Sequence, residues 1–507
     1  MSLRLAPKQS LHKAGWLALG ACLIGGVAQP QAQHLNGERA AATNGGQAAV
    51  HVWLTTGDRT ELLAREPDLS FGAQPVAPLA IEVDASRSYQ EIVGFGAALT
   101  DATVALMTRN LSEGARGNLL ADLFGQPPGI GLSFVRVPIG ATDFSERHYS
   151  LDDSPRGEPD PTLAHFSMEP QAHDLFPLLH EIRAINPRLR VVASPWSAPA
   201  WMKDSGKLVR GRLRADAYDA FAQYLLRVAD AYAAAGLPLY AITVQNEPGF
   251  EPGNYPGMPF KAAARAEFIG RHLGPLFAGR PDAPLILEWD HNWIAPGSPL
   301  RVLGDPAAAR YIAGVAWHCY KGVVKSQSLV HEAYPDKDAY LTECSGGEWE
   351  KHWDESLAWF AGTLLIDVTR NWARGVILWN LALDEHGGPH AGGCANCRGV
   401  VTIDSGTGAV TRNVEYYALA HASRFVRPGA RRIESNSDVE GLKNVAFRNA
   451  DDGSMVVIVY NSAVEPRLFS VKSDRGALRY TLRGRSLVTF TWARNPSGSS
   501  PDPRAAR

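Results

Sequence analysis

The chain has 507 residues, of which 45% are hydrophobic and 20% are charged, as in ordinary globular proteins. Lys and Arg number 50 and Asp and Glu number 52, so the formal net charge is −2. This balance argues against nucleic-acid or anionic-membrane binding, since both favour a basic excess. The chain is too long to form a single small hydrophobic core, and its length suits a barrel with an additional domain.

Both chain ends are predicted to lie outside the globular part. Residues 1–28 combine a basic start with an apolar run and predict a secretion signal, with a buried N-terminal helix as the alternative. The run is too short to span a membrane. We therefore expect a secreted or periplasmic protein, although a lipoprotein-like box makes an outer-membrane lipid anchor at Cys22 a second option. Residues 29–47 predict a flexible lead and residues 494–507 a disordered tail.

Strand-like segments alternate with helical ones between residues 91 and 424. The strand candidates number eight: Gly94–Leu99, Ser133–Ile139, Arg190–Trp196, Tyr240–Glu247, Leu285–Trp289, Val315–Tyr320, Ala339–Glu343 and Gly375–Ala382. Helices are predicted over Gln171–Ile185, Ala215–Ala235, Ala262–Leu276 and Ser356–Asn371. This α/β alternation favours a closed (β/α)8 TIM barrel over an open sheet.

Further strand-like segments flank the barrel without intervening helices. They lie at 48–56, 79–84, 442–449, 454–461, 467–472 and 478–492. Turn residues separate them, which is typical of antiparallel sheets. We predict a β-sandwich domain formed by both chain ends, residues 48–90 and 425–493.

Two of the predicted barrel strands end in a glutamate. Glu247 ends the strand in YAITVQNEPGF, and Glu343 ends the strand in AYLTECSG. Ligands bind at the carboxyl ends of barrel strands. Glycoside hydrolysis needs one protonated and one ionised carboxyl group at the same sugar carbon, which such a pair would supply. The alternative is that each glutamate is solvated and merely ends its strand.

Four cysteines follow the signal segment. Cys319 and Cys344 lie on predicted interior strands and are expected to be small buried residues. Cys394 and Cys397 form a C-x-x-C motif, for which we expect a disulfide in an exported protein. A zinc site is an alternative, because two histidines precede the motif at H-x3-H-x3-C-x2-C spacing, and free thiols are another.

Six ordered motifs occur between residues 92 and 404: FGAALTDA (95–102), FVRVPIGATDFS (134–145), ASPWSAPAWMK (193–203), QNEP (245–248), TEC (342–344) and LWNLALDEHGGP (378–389). Together they resemble glycoside hydrolase family 30, most closely its glucosylceramidase and β-glucosidase-like branch. The resemblance implies a TIM barrel with a flanking β-domain and a hydrolase that retains the anomeric configuration.

The resemblance also implies a role for each matching residue. Glu247 matches the general acid/base, and Glu343 matches the nucleophile. Asn246 matches the residue that binds the sugar 2-hydroxyl. The other matching positions border the nucleophile or hold the glucose unit: Arg136, Asp143, Trp196, His318, Tyr320 and Trp379. No metal or other cofactor is expected.

An acid/base residue must be protonated near neutral pH. Burial and the charge of Glu343 both act in that direction, so we expect the pKa of Glu247 to be raised. Arg136 and Tyr320 are expected to donate hydrogen bonds that keep Glu343 ionised.

The sequence thus predicts an exported retaining β-glycosidase that acts on a carbohydrate or glycolipid substrate. The candidates are a glucosylceramide-like glycolipid and a β-1,6-glucan. Residues 249–260, the loop after the eighth strand and Cys319 depart from the animal enzymes, which leaves the aglycone open. The alternatives are a family member that acts on another sugar, such as xylan or a galactan, and a carbohydrate-binding protein without catalysis.

Overall fold

The computed structural model of the chain describes residues 49–73, 75–437 and 439–494. No helix within these ranges is long and apolar enough to cross a membrane. Several predictions fall outside the described residues: the signal at 1–28, the lead at 29–47, the anchor at Cys22 and the tail beyond residue 494.

Eight parallel strands close into a barrel, each paired with its neighbour in the chain and the last paired with the first. They are Gly94–Ala98, Phe134–Ile139, Arg190–Pro195, Ala241–Thr243, Leu285–Asn292, Ile312–His318, Asp338–Glu343 and Ala373–Asn380. This arrangement confirms the predicted TIM barrel. The fourth strand is only three residues long, so the chain leaves the barrel wall before it reaches Glu247.

Helices surround the barrel, and the first two begin at side-chain caps. Thr100 and Ser112 each accept a hydrogen bond from a backbone N–H of the first turn that follows, which satisfies an otherwise free donor. The α-helices are Asp101–Arg109, Glu113–Phe124, Glu169–Ile185, Tyr218–Ala234, Ala262–Glu267, Gly274–Ala278, Gly297–Leu303, Pro306–Ala309, Lys325–Ala333, Trp353–Leu357, Val368–Arg370 and Val414–Ser423. Short 3-10 turns lie at Pro155–Gly157, Ala200–Met202 and Ala215–Ala217, and π-helical segments at Phe268–Leu273 and Ala358–Asp367.

The flanking strands form the predicted sandwich domain. They are Ala49–Thr55, Ala64–Ser70, Leu79–Glu91, Arg431–Ser435, Leu442–Arg448, Met455–Asn461, Arg467–Ser473, Gly476–Leu482 and Ser486–Trp492. The pairing is antiparallel except between Leu79–Glu91 and Arg467–Ser473, which are parallel. One predicted strand, 478–492, is wrong because the chain turns at Arg485, whose backbone is left-handed with φ of 51°.

The barrel interior is filled by side chains in layers. One layer comprises Val93, Phe134, Val192, Ala241, Leu287, Ala316, Tyr340 and Ile377. Close strand packing requires Gly96, where a Cβ would lie 2.0 Å from the carbonyl oxygen of Phe134. Short strands organise the segments after the seventh and eighth barrel strands: Gly346–Gly347 pairs with Cys397–Arg398, and Ala382–Leu383, Val401–Ile403 and Val410–Arg412 form a second small sheet. These segments follow the carboxyl ends of their strands.

Candidate active site

Glu343 is the last residue of the seventh barrel strand and is almost fully buried. Nη1 of Arg136 donates a hydrogen bond to its Oε2 at 2.5 Å, and the hydroxyl of Tyr320 donates to its Oε1 at 2.9 Å. Arg136 has no exposed surface. The structure thus places both predicted donors on this carboxylate, one on each oxygen, and fixes its orientation.

Glu247 lies beyond the end of the fourth strand in a left-handed conformation, with φ of 46°. This region is sparsely populated by residues other than glycine and costs conformational energy. The backbone N–H of Glu247 donates to the carbonyl of Asp290 at 3.0 Å. Its Oε1 lies 3.1 Å from Nδ1 of His291 and 3.1 Å from Nδ1 of His318. Neighbouring strands therefore hold this carboxyl group in place.

The two glutamates share His318. Nδ1 of this imidazole lies 3.1 Å from Oε1 of Glu247 and 3.7 Å from Oε1 of Glu343. The two carboxylate oxygens are therefore separated by less than about 7 Å, which admits the roughly 5–5.5 Å of retaining glycosidases and excludes most of the inverting range. The sequence prediction that these carboxyl groups meet at the barrel mouth agrees with this geometry.

Asp290 lies at the centre of the hydrogen-bond network, and the sequence interpretation missed it. Its carboxylate accepts hydrogen bonds from Arg136, His318 and three hydroxyl groups, those of Ser194, Thr243 and Thr342. Burial alone would raise the pKa of Asp290, but Arg136 and His318 hold it well below its usual range. Asp290 therefore remains an anion between two buried cations.

The expected rise in the pKa of Glu247 is wrong. Burial raises it, but the hydrogen bonds and charges of His291 and His318 outweigh burial and lower it to about 2. Burial lowers the pKa of His318, whereas the surrounding carboxylates, that of Glu343 foremost, raise it to about 9. The proton therefore resides on His318, one hydrogen bond from Glu247. Sequence reasoning counted the like charge of Glu343 but not the imidazoles.

Three of the residues predicted to hold the sugar lie beside Arg136, on one side of the site. Oδ1 of Asn246 accepts a hydrogen bond from Arg136 at 2.7 Å, which orients its amide group. The indoles of Trp196 and Trp379 stack on each other with ring centroids 5.0 Å apart, and the guanidinium of Arg136 lies 4.7 Å from the Trp196 ring. The tryptophans thus form a single wall, and the face that each turns to its partner is not free for a sugar.

Asp143 completes that side of the cavity. It is buried, and burial together with the charge of Glu343 raises its pKa to about 8. Backbone N–H groups of Asp143 itself and of Phe144 donate to this carboxyl group and partly offset the effect of burial. A Cβ at Gly393 would lie 2.3 Å from Cβ of Asp143, so only glycine permits the loop after the eighth strand to cover this residue.

A disulfide joins Cys394 and Cys397 in that covering loop. Cys397 packs in the same cluster as Trp196 and Trp379. Because both sulfurs are bonded to each other, they are not thiolates, and the alternative zinc site at this motif does not form in this structure. The loop with its disulfide therefore braces the tryptophan wall.

A second disulfide joins Cys319 and Cys344, which the sequence interpretation treated only as small buried residues. Both are indeed buried. Each directly follows a site residue, His318 or Glu343, on adjacent barrel strands. The sequence signals for this disulfide were the even number of cysteines after residue 28 and the position of each cysteine directly after a strand. They point to this pairing only when the sixth and seventh strands are known to be neighbours.

Asp290 and His291 carried a signal as well. They follow the predicted fifth strand, as Glu247 follows the fourth, so the rule that singled out Glu247 applies to them. The strand was predicted to end at Trp289 but continues to Asn292. Left-handed backbone at Trp289 and Asp290 shifts the register and turns both polar side chains into the mouth.

Known proteins share both domains of this chain. Residues 92–426 match the glycosyl hydrolase family 30 TIM-barrel domain, and residues 429–490 match the family's beta sandwich domain. An endo-1,6-beta-D-glucanase of Neurospora crassa is 33% identical over 444 residues, which cover 84% of this chain and 90% of that protein. A lysosomal acid glucosylceramidase of Mus musculus is 31% identical over 465 residues, which cover 85% of this chain and 87% of that protein.

Solved structures show the same relationship. The endo-beta1,6-glucanase BT3312 superposes with a TM-score of 0.81 at 30% identity, covering 88% of this chain and all of that one. SrfJ from Salmonella typhimurium gives a TM-score of 0.82 at 27% identity with the same coverage. With two adjacent carboxyl groups at the mouth of a TIM barrel and both family domains in order, the chain belongs to glycosyl hydrolase family 30 and is a glycoside hydrolase.

Proposed function

We propose that this protein is an exported, retaining hydrolase of β-glucosidic bonds, with Glu343 as nucleophile and Glu247 as acid/base. The observation that carries the proposal is the short path between the two carboxyl groups through His318. Inverting enzymes keep their two carboxyl groups roughly 6.5–9.5 Å apart, which leaves room for a water molecule. A separation below about 7 Å excludes most of that range.

In the first step Glu343 attacks the anomeric carbon and forms a covalent glycosyl-enzyme. The proton shared between His318 and Glu247 passes through Glu247 to the leaving oxygen. Arg136 and Tyr320 hold both oxygens of Glu343, so the nucleophile enters the reaction with a fixed orientation. The carboxamide of Asn246, oriented by Arg136, would bind the sugar 2-hydroxyl.

In the second step Glu247 removes a proton from water, which attacks the same carbon and releases the sugar with its original configuration. The negative charge of Glu343 is absent while the covalent bond exists. Its loss favours the ionised form of Glu247 and thus the base role.

We propose a β-1,6-linked glucan as the substrate. The support comes from relatives: endo-1,6-beta-D-glucanases of Neurospora crassa and Aspergillus fumigatus are 33% and 34% identical to this chain, and the glucanase BT3312 shares its fold across both domains. The residues that match glucose contacts lie close to the two glutamates: both charges act on Asp143, and Arg136 joins Trp196 to Glu343.

A glycolipid is the second candidate, favoured by an apolar edge at the mouth. Ile294 and Val323 are 63% and 67% exposed, in the loops after the fifth and sixth strands. These loops touch, because a Cβ at Gly322 would lie 2.3 Å from the backbone nitrogen of Ile294. His291, three residues before Ile294, contacts Glu247, which protonates the leaving oxygen, so an apolar aglycone would leave beside this edge.

The test compares purified protein on an aryl β-glucoside, an aryl β-xyloside, an aryl β-galactoside, a β-1,6-glucan and glucosylceramide. We expect the glucoside and the glucan to be cleaved and NMR to show the β-anomer as the first product. Appearance of the α-anomer first would reject retention. Preferential cleavage of glucosylceramide would replace the glucan with the glycolipid, and no cleavage of any β-glucoside would reject the proposal.

Export is part of the proposal. Two disulfides in the described residues suit an oxidising compartment, and the apolar segment before residue 28 resembles a secretion signal. Cell fractionation with the native N-terminus is the direct measurement, and retention of the uncut chain in the cytoplasm would contradict export.

A further inference from the structure

Three potential metal ligands converge on the acid/base residue. Glu247, His291 and His318 form the one such group of His, Cys, Asp or Glu side chains within the described ranges, with ligand atoms within 4.8 Å of one another. We infer that this group is a binding site for a divalent transition-metal ion such as Zn²⁺, and that the ion and the substrate exclude each other.

The ligand types and spacing fit such an ion. Zinc binds imidazole nitrogen and carboxylate oxygen at about 2.0–2.2 Å in a tetrahedron, whose ligand atoms lie about 3.3 Å apart. Oε1 of Glu247 lies 3.1 Å from Nδ1 of each histidine. Small side-chain adjustments would therefore open space for an ion between these three atoms, with the cavity supplying the fourth position.

A second carboxylate supports one of the histidines. Nε2 of His318 lies 3.0 Å from Oδ1 of Asp290, so its proton stays in place when an ion displaces the proton from Nδ1. Metal-binding histidines are oriented in this way by carboxylates in many proteins. Asp290 is fixed in turn by Arg136 and by hydroxyl donors, so the support is rigid.

The site is reachable from solvent. The side chains of Glu247 and His291 are 16% and 13% exposed, whereas His318 is fully covered behind them. An incoming ion would meet the first two at the cavity surface and complete its coordination with the third. Because it would bind the oxygen that protonates the leaving group, the ion would act as a competitive inhibitor, and this part of the inference rests on the proposed function.

Calorimetric titration of ZnCl₂ into the purified, tag-free chain in a non-chelating buffer tests the site. We expect one ion per chain and at least about tenfold weaker binding in His291→Ala. The matched control is His386→Ala, which removes an exposed histidine 3.4 Å from Glu385 and should bind as the wild type does. Unchanged binding in His291→Ala, or loss in His386→Ala, would overturn the inference.

A second variant and a second readout guard against misfolding. Glu247→Gln should also weaken Zn²⁺ binding, and the visible spectrum of Co²⁺ in the wild type should show tetrahedral coordination that neither variant reproduces. Octahedral Co²⁺ with unchanged affinity in both variants would place the ion elsewhere.

Inhibition kinetics separate this inference from the proposed function. Zn²⁺ should raise KM for the aryl β-glucoside and leave kcat unchanged, and His291→Ala should relieve the effect. Zinc binding without any hydrolysis would defeat the proposed function alone. Hydrolysis that Zn²⁺ inhibits equally in wild type and His291→Ala would defeat the metal site alone.

Discussion

At the scale of single residues, Asp290 is the anion on which the site depends. It lies between the guanidinium of Arg136 and the imidazole of His318, all three fully buried. Arg136 contacts the proposed nucleophile, and His318 contacts the proposed acid/base. One carboxylate therefore orients the side chains that contact both proposed catalytic groups.

Replacement of Asp290 should expose this dependence. Asp290→Asn removes the carboxylate that Arg136 and His318 share and leaves them only the two glutamates as counter-ions. Breaking a buried pair costs about 3–5 kcal/mol. We expect that loss in the free energy of unfolding, measured with denaturant. Asp451→Asn removes a partner from the exposed pair with Arg427 and should cost less than about 1 kcal/mol. Equally small losses of unfolding free energy in both variants would show that Asp290 does not stabilise this network.

The proposed nucleophile gives the sharpest kinetic prediction. Glu343→Gln keeps the shape of the side chain but cannot form the glycosyl-enzyme, so kcat should fall by several orders of magnitude on every substrate. Glu348→Gln changes an exposed glutamate in the following loop and should retain wild-type turnover. Burst kinetics on an activated aryl β-glucoside measure the covalent step, and a normal burst in Glu343→Gln would contradict its role.

The proposed acid/base residue should show a dependence on the leaving group. General acid catalysis contributes about 10²–10⁴-fold, so Glu247→Gln should lose about that much kcat/KM on a β-1,6-glucan. A dinitrophenyl β-glucoside needs little protonation, and its cleavage should be impaired far less in the first step. The ratio of the two losses is the measurement, and a ratio near one would reject the acid role.

At the scale of elements, the sixth and seventh barrel strands carry the most demanding geometry. Their pairing is regular from Asp338 opposite Gly314 to Leu341 opposite Trp317, then shifts so that Glu343 lies opposite His318. The regular ladder therefore ends where the site begins. The disulfide between the next residues, Cys319 and Cys344, supplies the constraint that the backbone pairing no longer provides.

Loss of that disulfide should reduce turnover more than binding. In Cys319→Ser/Cys344→Ser the hydrogen bond from Tyr320 to Glu343 loses its fixed geometry, and an error of about 1 Å can cost about 10²-fold in rate. We expect kcat to fall by up to that factor with KM nearly unchanged.

The other disulfide provides the matched comparison. Cys394→Ser/Cys397→Ser should raise KM with a smaller effect on kcat, because its loop covers Asp143 rather than the nucleophile. Steady-state kinetics of both double variants, with near-UV circular dichroism to verify packing, make the measurement. The reverse pattern would contradict the roles assigned to the two bridges.

At the scale of the whole molecule, buried polar contacts join the barrel to the sandwich. His421 lies in the last barrel helix. Its Nδ1 lies 2.8 Å from Oγ1 of Thr489 and its Nε2 lies 2.9 Å from Oγ1 of Thr55, and both threonines are on sandwich strands. Thr489 donates its own proton to the carbonyl of His421, so it accepts from Nδ1–H and leaves Nε2 as an acceptor. The imidazole is therefore neutral, and burial lowers its pKa to about 3.

His421 should make the free energy of unfolding sensitive to acid. Above pH 6.5 it is neutral in both folded and unfolded chains and has no effect on the pH dependence. As the pH falls from 6.5 towards 3, only the unfolded chain takes up the proton, so stability is lost, with an upper limit of roughly 5 kcal/mol at about 1.4 kcal/mol per pH unit. Denaturant midpoints at pH 7.5, 6 and 5 should fall less steeply in His421→Gln, which cannot titrate. Parallel slopes would refute the assignment.

The sequence by itself determined the barrel and the two glutamates. Both are local signals: apolar runs of strand length alternate with helical spacing, and Glu247 and Glu343 each follow such a run directly. The sandwich was predicted in the same way, although the turn at Gly484 and Arg485 was missed because an isolated glycine within an apolar run was taken as part of one strand.

Only the tertiary structure decided where the protons reside and which side chains support the glutamates. The pKa of Glu247 depends on His291 and His318, which come from two other strands, and the disulfide at Cys319 depends on the seventh strand lying beside the sixth. Such effects depend on the distance in space between residues that are tens of positions apart in the sequence. A pattern along the chain shows that a carboxyl group stands at the mouth, whereas folding determines what surrounds it and therefore its charge.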